Sequence, residues 1–93
     1  TLMLALKKCS YWPAKRLESR VPEMKLKGRI KIGAHADLIV FDLKKIKDQS
    51  TFSKADQFST GFKYVLVKGS PVVSDGKLVE NSFPGEAIRA PNK

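Results

Sequence analysis

Cysteine and histidine are nearly absent from this sequence of 93 residues, which contains one of each, Cys9 and His35. With a single cysteine, neither an intrachain disulfide nor a metal centre built from cysteine thiolates can form within the chain. A zinc site built on imidazoles needs two or three histidines, so His35 cannot be the centre of one. We therefore expect a chain that folds without disulfides, as is typical of a reducing compartment.

The sequence also lacks any apolar run near the length of about 18 residues that a membrane-spanning helix requires. It shows no signal peptide, since no basic start is followed by a long apolar stretch. These absences predict a soluble, cytoplasmic protein with no membrane partner. The chain begins with Thr1, and residues Leu2 to Leu6 already have helical character. Because the chain begins inside a predicted helix, we interpret it as a segment of a longer protein.

Acidic residues are scarce in the first third of the chain. Residues 1–31 hold nine Lys and Arg against two acids, residues 32–93 hold nine against seven, and the net charge is +9. A basic surface can bind phosphate backbones by releasing counterions, and Trp12 with Tyr11 could stack on a base. No nucleic-acid-binding motif is present, and the basic residues are not interleaved with aromatics that we expect to be exposed. We therefore prefer a solvated or partner-facing basic surface over one that binds nucleic acid.

Two short helices are predicted at the N-terminus. Apolar residues recur at helical spacing from Leu2 to Cys9. Because Trp12 precedes a proline, we expect the first helix to end near Ser10 or Tyr11. A second helix would then run from Pro13 to Leu17, since proline is favoured at the first helical position.

Two buried strands are predicted in the rest of the chain. The first is the run of four apolar residues Leu38–Phe41, which is bounded by Asp37 and Asp42 and reads as buried on both faces. The second is Tyr64–Val67. Just before the first strand, Arg29–Ile32 alternates polar and apolar residues and predicts a half-exposed strand.

A hairpin and a long loop complete the predicted elements. Val72-Val73 and Lys77–Val79 are short strands that a turn at Asp75-Gly76 would join. The polar stretch Leu43–Gly61 is unusually long for a loop in a compact domain. It is easier to explain if it lies over another domain, where two aromatic side chains could pin it, Phe52 and Phe58. Together the elements predict an α+β fragment, with short N-terminal helices followed by a small, mostly antiparallel β unit and an irregular tail.

The side chains that could carry chemistry are not arranged for it. His35 lies in a Gly-Ala-His-Ala-Asp turn, where we expect it to be exposed. Asp37 and Asp42 are an odd number of residues apart and point to opposite faces of a strand, so they cannot form a close acid–base pair. We expect them to form hydrogen bonds at turns or strand ends instead. Cys9 and Trp12 are interpreted as core residues.

Serine and glycine patterns give no alternative site. No base lies beside the serines in sequence, at Ser10, Ser59 and Ser74. The glycines do not form a phosphate-binding loop, whether at Gly28, at Gly33 or in the Asp75-Gly76 turn. We therefore assign no catalytic, cofactor-binding or metal-binding residue to this segment.

Three motifs resemble the amidohydrolase superfamily. Residues 27–42, KGRIKIGAHADLIVFD, resemble the signature G-x-I-x-x-G-x-x-A-D-L-V-V-x-D near the C-terminus of that family. Upstream, Pro13–Leu17 resembles its PA-x-x-L segment, which follows the last barrel helix. Downstream, Gly61–Gly69 is similar to its G-I-x-x-V-x-V-N-G strand and turn. The motifs occur in the family's order and at its spacing, and together they cover nearly the whole chain.

Two further stretches resemble the N-acyl-D-amino-acid deacylase (D-aminoacylase) branch. Asp48–Gly61 is similar to that branch's D-x-A-T-F/Y followed by Q-x-S-x-G-I, and Phe83–Arg89 is similar to its closing x-P-G-x-x-I/V/L-R. The chain departs from these motifs at several positions, among them Ser50, Phe62, Lys68 and Glu86. The departures leave the superfamily resemblance intact.

The resemblance implies a parent protein that is a metal-dependent hydrolase of carbon–nitrogen (amide) bonds, with a TIM-type barrel. In such enzymes a bound zinc activates water and polarises the scissile carbonyl, and an aspartate shuttles the proton. The family's metal ligands and catalytic aspartate belong to sequence upstream of Thr1, so the segment itself is expected to be non-catalytic and to bind no zinc. An N-acyl-D-amino-acid deacylase is the preferred parent.

Two alternatives stay open. The parent could belong to another amidohydrolase branch, dihydroorotase-like or deaminase-like, which only the barrel motifs upstream would distinguish. The chain could also be a stand-alone basic β-module that binds nucleic acid or an acidic partner. Such a module would bind in a way that weakens steeply with salt.

The resemblance also divides the chain into two parts. Residues 1–26 are interpreted as the end of the barrel domain, and residues 27–93 as the C-terminal half of a composite β-sandwich with an irregular tail. The expected partners are the barrel and the N-terminal β half of the same protein, together with a small-molecule substrate of the parent. Structural roles fall to two groups of residues: Leu38, Val40, Phe41, Val65 and Val67 in the sandwich core, and Pro13 and Leu17 on the barrel side.

Overall fold

The computed structural model describes residues 1–92. Its elements follow the predicted order, with helices at the N-terminus and four strands after them. All three strand pairs are antiparallel and form one open sheet, so the predicted α+β class without a barrel is confirmed for the described part of the chain. Within residues 1–92, no helix combines the length and the apolar character that crossing a membrane requires.

The chain forms two compact units. One contains Thr1–Ala36 together with the segment that begins at Gly85, and the other is Asp37–Pro84. The interpretation of residues 1–26 as the end of a barrel domain concerns a larger protein and stays a prediction.

The N-terminal helix is continuous over residues 2–17, so the predicted break before Pro13 is wrong. It consists of α1 (Leu2–Leu6), a π-helical turn (Lys7–Tyr11) and α2 (Trp12–Leu17). Trp12 keeps helical angles, with φ of −66° and ψ of −41°, although a residue before proline usually avoids them. The π turn explains this, because the bond from the Trp12 N–H to the Lys7 carbonyl widens the turn that the proline ring would otherwise crowd.

The first unit is held together by a close approach between the helix and the chain that returns to it. Pro22–Leu26 forms a 3-10 helix where the sequence predicts a loop. Gly28 then passes over the N-terminal helix with a φ of +68°. A Cβ at this position would lie 2.7 Å from the carbonyl oxygen of Ser10 and 3.0 Å from the Cβ of Ala14. Ala14, which is 2% exposed, is the only buried apolar residue among those the structure describes.

The sheet lies within the second unit, and its strands follow sequence order. They are β1 (Leu38–Phe41), β2 (Phe62–Val67), β3 (Ser70–Ser74) and β4 (Lys77–Leu78). The predicted strands over residues 38–41, 64–67, 72–73 and 77–79 are therefore confirmed, with small differences in their bounds. The rings of Phe41 and Phe62 pack in a tilted pair with centroids 6.3 Å apart, where the register of β1 and β2 shifts.

Two tight turns join β2, β3 and β4. Asp75 and Gly76 have φ of 51° and 78°, and Lys68 and Gly69 have φ of 50° and 82°. Two consecutive residues with positive φ are typical of the type I′ turn, whose twist matches that of an antiparallel hairpin. The predicted Asp75-Gly76 hairpin is confirmed, and Lys68-Gly69 forms a second hairpin of the same kind.

The long loop between β1 and β2 is organised by hydrogen bonds of its own. A single antiparallel bridge pairs Lys47 with Thr60, and the Ser50 N–H donates to Asp48 Oδ1 at 2.9 Å. Phe52 and Phe58 are both exposed. Within the described residues, these two aromatic side chains therefore do not pin the loop down.

Residues 29–32 do not form the predicted half-exposed strand. They lie in bends and turns between Gly28 and Gly33, which both have positive φ, and Ile30 and Ile32 are almost fully exposed. The Arg29 Nε donates to the Lys27 carbonyl at 2.9 Å, which curls the chain back on itself. Alternation alone does not make a strand when no neighbouring strand is there to pair with it.

The predicted burial of β1 on both faces is also wrong for this chain. Ile39 and Val40, which point to opposite faces of the strand, are each 50% exposed. The other proposed core residues are half-buried: Leu38, Phe41, Val65 and Val67. The two residues proposed for the barrel side, Pro13 and Leu17 of the helix, are exposed. The described residues supply no layer that covers either face of the sheet.

We expect Gly28→Ala to destabilise the protein more than Gly33→Ala does. Both positions have positive φ, which costs an alanine about 1–2 kcal/mol, but only Gly28 lacks room for a Cβ, since nothing lies within 4 Å of a Cβ at Gly33. At Gly28, the clash of the added methyl group should destabilise the folded state further, by about 1–3 kcal/mol. Thermal unfolding of the two variants checks this, and equal melting temperatures would contradict the close approach.

Candidate functional site

The side chains that are able to take part in catalysis or metal binding are dispersed in the structure. No group of three or more His, Cys, Asp or Glu side chains in residues 1–92 is placed to hold a metal ion. Cys9 is exposed and Trp12 is 46% exposed, so their predicted burial in a core is wrong. The reason is that nothing among the described residues packs against that side of the N-terminal helix, where Leu2 and Met3 are exposed as well.

His35 is enclosed by its surroundings, which corrects the predicted exposed turn residue. Its side chain is 17% exposed, and its Nε2 lies 4.0 Å from Glu23 Oε1. Its backbone N–H donates to the Leu26 carbonyl at 2.9 Å, which folds the turn against the 3-10 helix. Its Nδ1 is buried and has no hydrogen-bond partner among the described residues.

Asp37 and Asp42 form hydrogen bonds at the two ends of β1, as predicted. Asp37 Oδ1 accepts from the N–H of Lys68 at 2.9 Å, which ties the start of β1 to the hairpin turn after β2. Asp42 Oδ1 accepts from the N–H of Lys44 at 3.0 Å, in the turn that follows β1. Both carboxylates therefore shape the backbone around the strand.

The carboxylate of Glu18 is the electrostatic centre of the first unit. Its Oε1 lies 3.0 Å from Lys15 Nζ, and its Oε2 accepts a hydrogen bond of 3.2 Å from Arg29 Nη2. The hydrogen bond from Lys15, and then that from Arg29, holds the pKa of Glu18 below its ordinary value of 4.5. The Arg29 guanidinium also stacks on Tyr11, 5.1 Å from the ring centroid. This group joins the helix to the returning chain beside Gly28.

Sequence reasoning missed this group because its members are far apart in the chain and show no periodicity. Glu18 and Arg29 are eleven residues apart, and Arg29 was assigned to a strand by its alternating neighbours. The one available signal was the position of Arg29 directly after Gly28, a residue that permits close approach of the backbone.

One face of the sheet carries an open row of apolar side chains. The registers of the three strand pairs place four apolar side chains in one row across all strands: Ile39, Val65, Val73 and Leu78. We call this set the Ile39–Leu78 row. Its two ends are exposed and its two central valines are half-buried, so the row is covered least where it reaches the edge strands.

A cavity of about 360 Å³ lies against this row. Val65, Val73 and Leu78 line it together with Phe58 of the long loop and Phe62 of β2. Its lining carries no ionisable side chain, and it is therefore suited to apolar contact rather than to acid–base or metal chemistry. Opposite the row, Val40 pairs with Tyr64 on the other face of the sheet. Both faces of β1 thus present apolar side chains that are half exposed.

The described residues do not fit the zinc that the family resemblance implies. A zinc site takes three or four ligands at short range, and the one imidazole, His35, has a single carboxylate near it, Glu23 at 4.0 Å. We therefore derive no chemical step through a metal from this part of the chain.

We expect Glu18→Gln to lower stability in a pH-dependent way. Because the folded pKa of Glu18 is depressed, its contribution is fully present above pH 4.5 and is lost as the pH falls further. The difference in melting temperature between the wild type and the variant should therefore be largest near neutral pH and shrink in acid. A difference that is independent of pH between about pH 3 and about pH 7 would contradict the role of the charge.

Two curated relatives match this chain. N-acyl-D-glutamate deacylase of Alcaligenes xylosoxydans xylosoxydans is 36% identical over 89 residues, which cover 96% of this chain. N-acyl-D-aspartate deacylase of the same organism is 37% identical over 62 residues, which cover 67% of this chain. The matched regions are 17% and 12% of the lengths of these relatives, so the chain spans less than a fifth of either.

The other comparisons add no second family. No family model matches the chain, and no solved structure matches it. The similarity to the two deacylases agrees with the motifs found along the sequence, and for N-acyl-D-glutamate deacylase it extends over nearly the whole chain. The chain is a D-aminoacylase-like segment.

Proposed function

We propose that this chain is a non-catalytic part of a hydrolase that cleaves the amide bond of N-acyl-D-amino acids. The observation that carries the proposal is the 36% identity to N-acyl-D-glutamate deacylase over 96% of the chain. The 37% identity to N-acyl-D-aspartate deacylase over 67% of the chain supports it as well. Both names specify an acidic D-amino acid, so substrates of that kind are the first to test.

The role of this segment in the parent protein is structural docking. Its sheet is apolar on both faces and half exposed on both, whereas the carboxylates of Glu18, Asp37 and Asp42 accept hydrogen bonds within the segment. Since the chain spans only 17% of the length of the deacylase it matches over most of its own length, a large part of such a protein is available to cover the sheet. The barrel and the N-terminal β half are the proposed partners.

Zinc dependence and a cytoplasmic location complete the proposal for the parent. The zinc rests on the superfamily resemblance, and its ligands would come from parts of the protein other than residues 1–92. The names of the two relatives favour a deacylase over a dihydroorotase-like or deaminase-like branch. In the deacylase proposal, this segment contributes no atom to the reacting centre.

The activity is tested on the full-length protein that contains this segment. We expect release of free amino acid from N-acetyl-D-glutamate or N-acetyl-D-aspartate, and little from their L-enantiomers, which serve as matched controls. Removal of metal with a chelator should abolish the reaction, and added zinc should restore it. Ring opening of dihydroorotate or release of ammonia, without deacylation of any N-acyl-D-amino acid, would contradict the proposal.

We expect Val40→Asp to destabilise the full-length protein without removing a metal ligand. The substitution places a charge in a surface that the proposal covers with apolar atoms, and an unpaired buried charge typically costs about 3–5 kcal/mol. Ser19→Asp, at an exposed position after the N-terminal helix and outside the sheet, is the control and should have little effect. Melting temperature, soluble yield and metal content are the measurements. Normal stability and activity of Val40→Asp would show that this face is not covered.

A further inference from the structure

The N-terminal helix presents a row of cationic and aromatic side chains that the deacylase proposal does not use. Lys8, Trp12 and Arg16 follow one another at intervals of four residues, and all three are exposed. In an α-helix, an interval of four residues overshoots one turn by about 40°. In the π-helical turn between Lys7 and Tyr11, the same interval falls short of one full turn. The two offsets oppose each other, so Lys8 and Arg16 align along the helix and Trp12 lies between them on the same face.

The cations of this row are not paired with the acids of the first 31 residues. Of the two acidic residues in the first 31, Glu18 bonds to Lys15 and Arg29, and Glu23 lies beside His35. No ion pair to Lys8 or Arg16 is found among the described residues. The row therefore carries two free positive charges on either side of an indole ring.

The indole of Trp12 is the ring that remains available on this face. Tyr11, its neighbour, is already covered by the Arg29 guanidinium at 5.1 Å from its centroid. Trp12 is 46% exposed among the described residues. Because burying the unpaired charges of Lys8 and Arg16 against an apolar surface would be costly, we expect this face of the helix to stay open to solvent in the full-length protein.

We propose that the Lys8–Trp12–Arg16 row binds single-stranded nucleic acid. The two cations would contact phosphates that flank one nucleotide, and the indole would stack on its base. An unpaired strand is required because bases within a duplex do not expose their ring faces. An acidic peptide would use the cations and leave the indole without a partner. The proposal is independent of the deacylase activity.

The test is binding of a labelled oligothymidine of about 20 nucleotides to the full-length protein, followed by fluorescence anisotropy. We expect affinity to fall steeply between about 50 and about 200 mM salt. Lys8→Glu with Arg16→Glu should weaken binding at least tenfold and flatten the dependence on salt. Trp12→Ala should weaken it about tenfold with the salt dependence unchanged, whereas Trp12→Phe should keep most of the affinity.

The control is a double variant of equal charge change in the long loop, Lys44→Glu with Lys54→Glu. It should bind as the wild type does, and circular dichroism should show that every variant is folded. The proposal is overturned if the wild type does not bind at low salt, or if the control loses as much affinity as the row variant. Binding of poly-glutamate or of anionic vesicles through the same residues, without binding of oligothymidine, would overturn it as well. Deacylase activity, measured on the same samples, reports separately on the proposed function.

Discussion

Four consecutive apolar residues in a strand place apolar side chains on both faces of a sheet, and the fold around them depends on how those faces are covered. In β1, Ile39 and Val40 point to opposite faces, and each is half exposed. Half-exposed side chains forfeit part of the roughly 1.5–3 kcal/mol that full burial of one aliphatic residue provides. The turns and the strand registers define the sheet, but the described residues do not cover its two faces. This combination is typical of a segment that completes its core against other parts of a protein.

The two units are stabilised by different contacts. In the first, Gly28 brings the backbone against Ala14, and the Glu18–Arg29 pair fastens the same contact. The charged groups that stabilise this approach sit on the inner side of the helix, while the Lys8–Trp12–Arg16 row remains outside. In the second unit, order comes from two type I′ turns and from hydrogen bonds at the ends of β1. Local backbone chemistry, rather than a large buried core, defines both units.

The sequence predicted those features that depend on neighbouring residues. The apolar runs at β1 and β2 and the Asp75-Gly76 turn each have a local cause, and all three elements formed as predicted. The errors arose where a distant contact, or its absence, decided the outcome. Arg29–Ile32 had no strand to pair with, His35 folded against the 3-10 helix, and the π turn accommodated Pro13 within one helix.

Of the Ile39–Leu78 row, only Val65 was among the predicted core residues. Val40 and Val65 were assigned to a core, and the register confirms that they lie in the sheet, but the cover that would bury them is not among residues 1–92. Motif spacing identified the deacylase resemblance because it reports on relatedness and does not require a complete fold. Exposure of Trp12 could not be predicted, because helical periodicity shows which residues share a face and not which face is packed.

The central claim is that the sheet of this segment is covered in the full-length protein. It is tested most directly by the reactivity of a cysteine placed at Ile39, with Cys9→Ala removing the native thiol and Ser19→Cys, an exposed position outside the sheet, as the reference. We predict that Ile39→Cys reacts with a thiol reagent at least about tenfold more slowly than Ser19→Cys in the native protein, because local opening must precede the reaction. Equal rates would show that the Ile39–Leu78 row faces solvent, and would contradict the account.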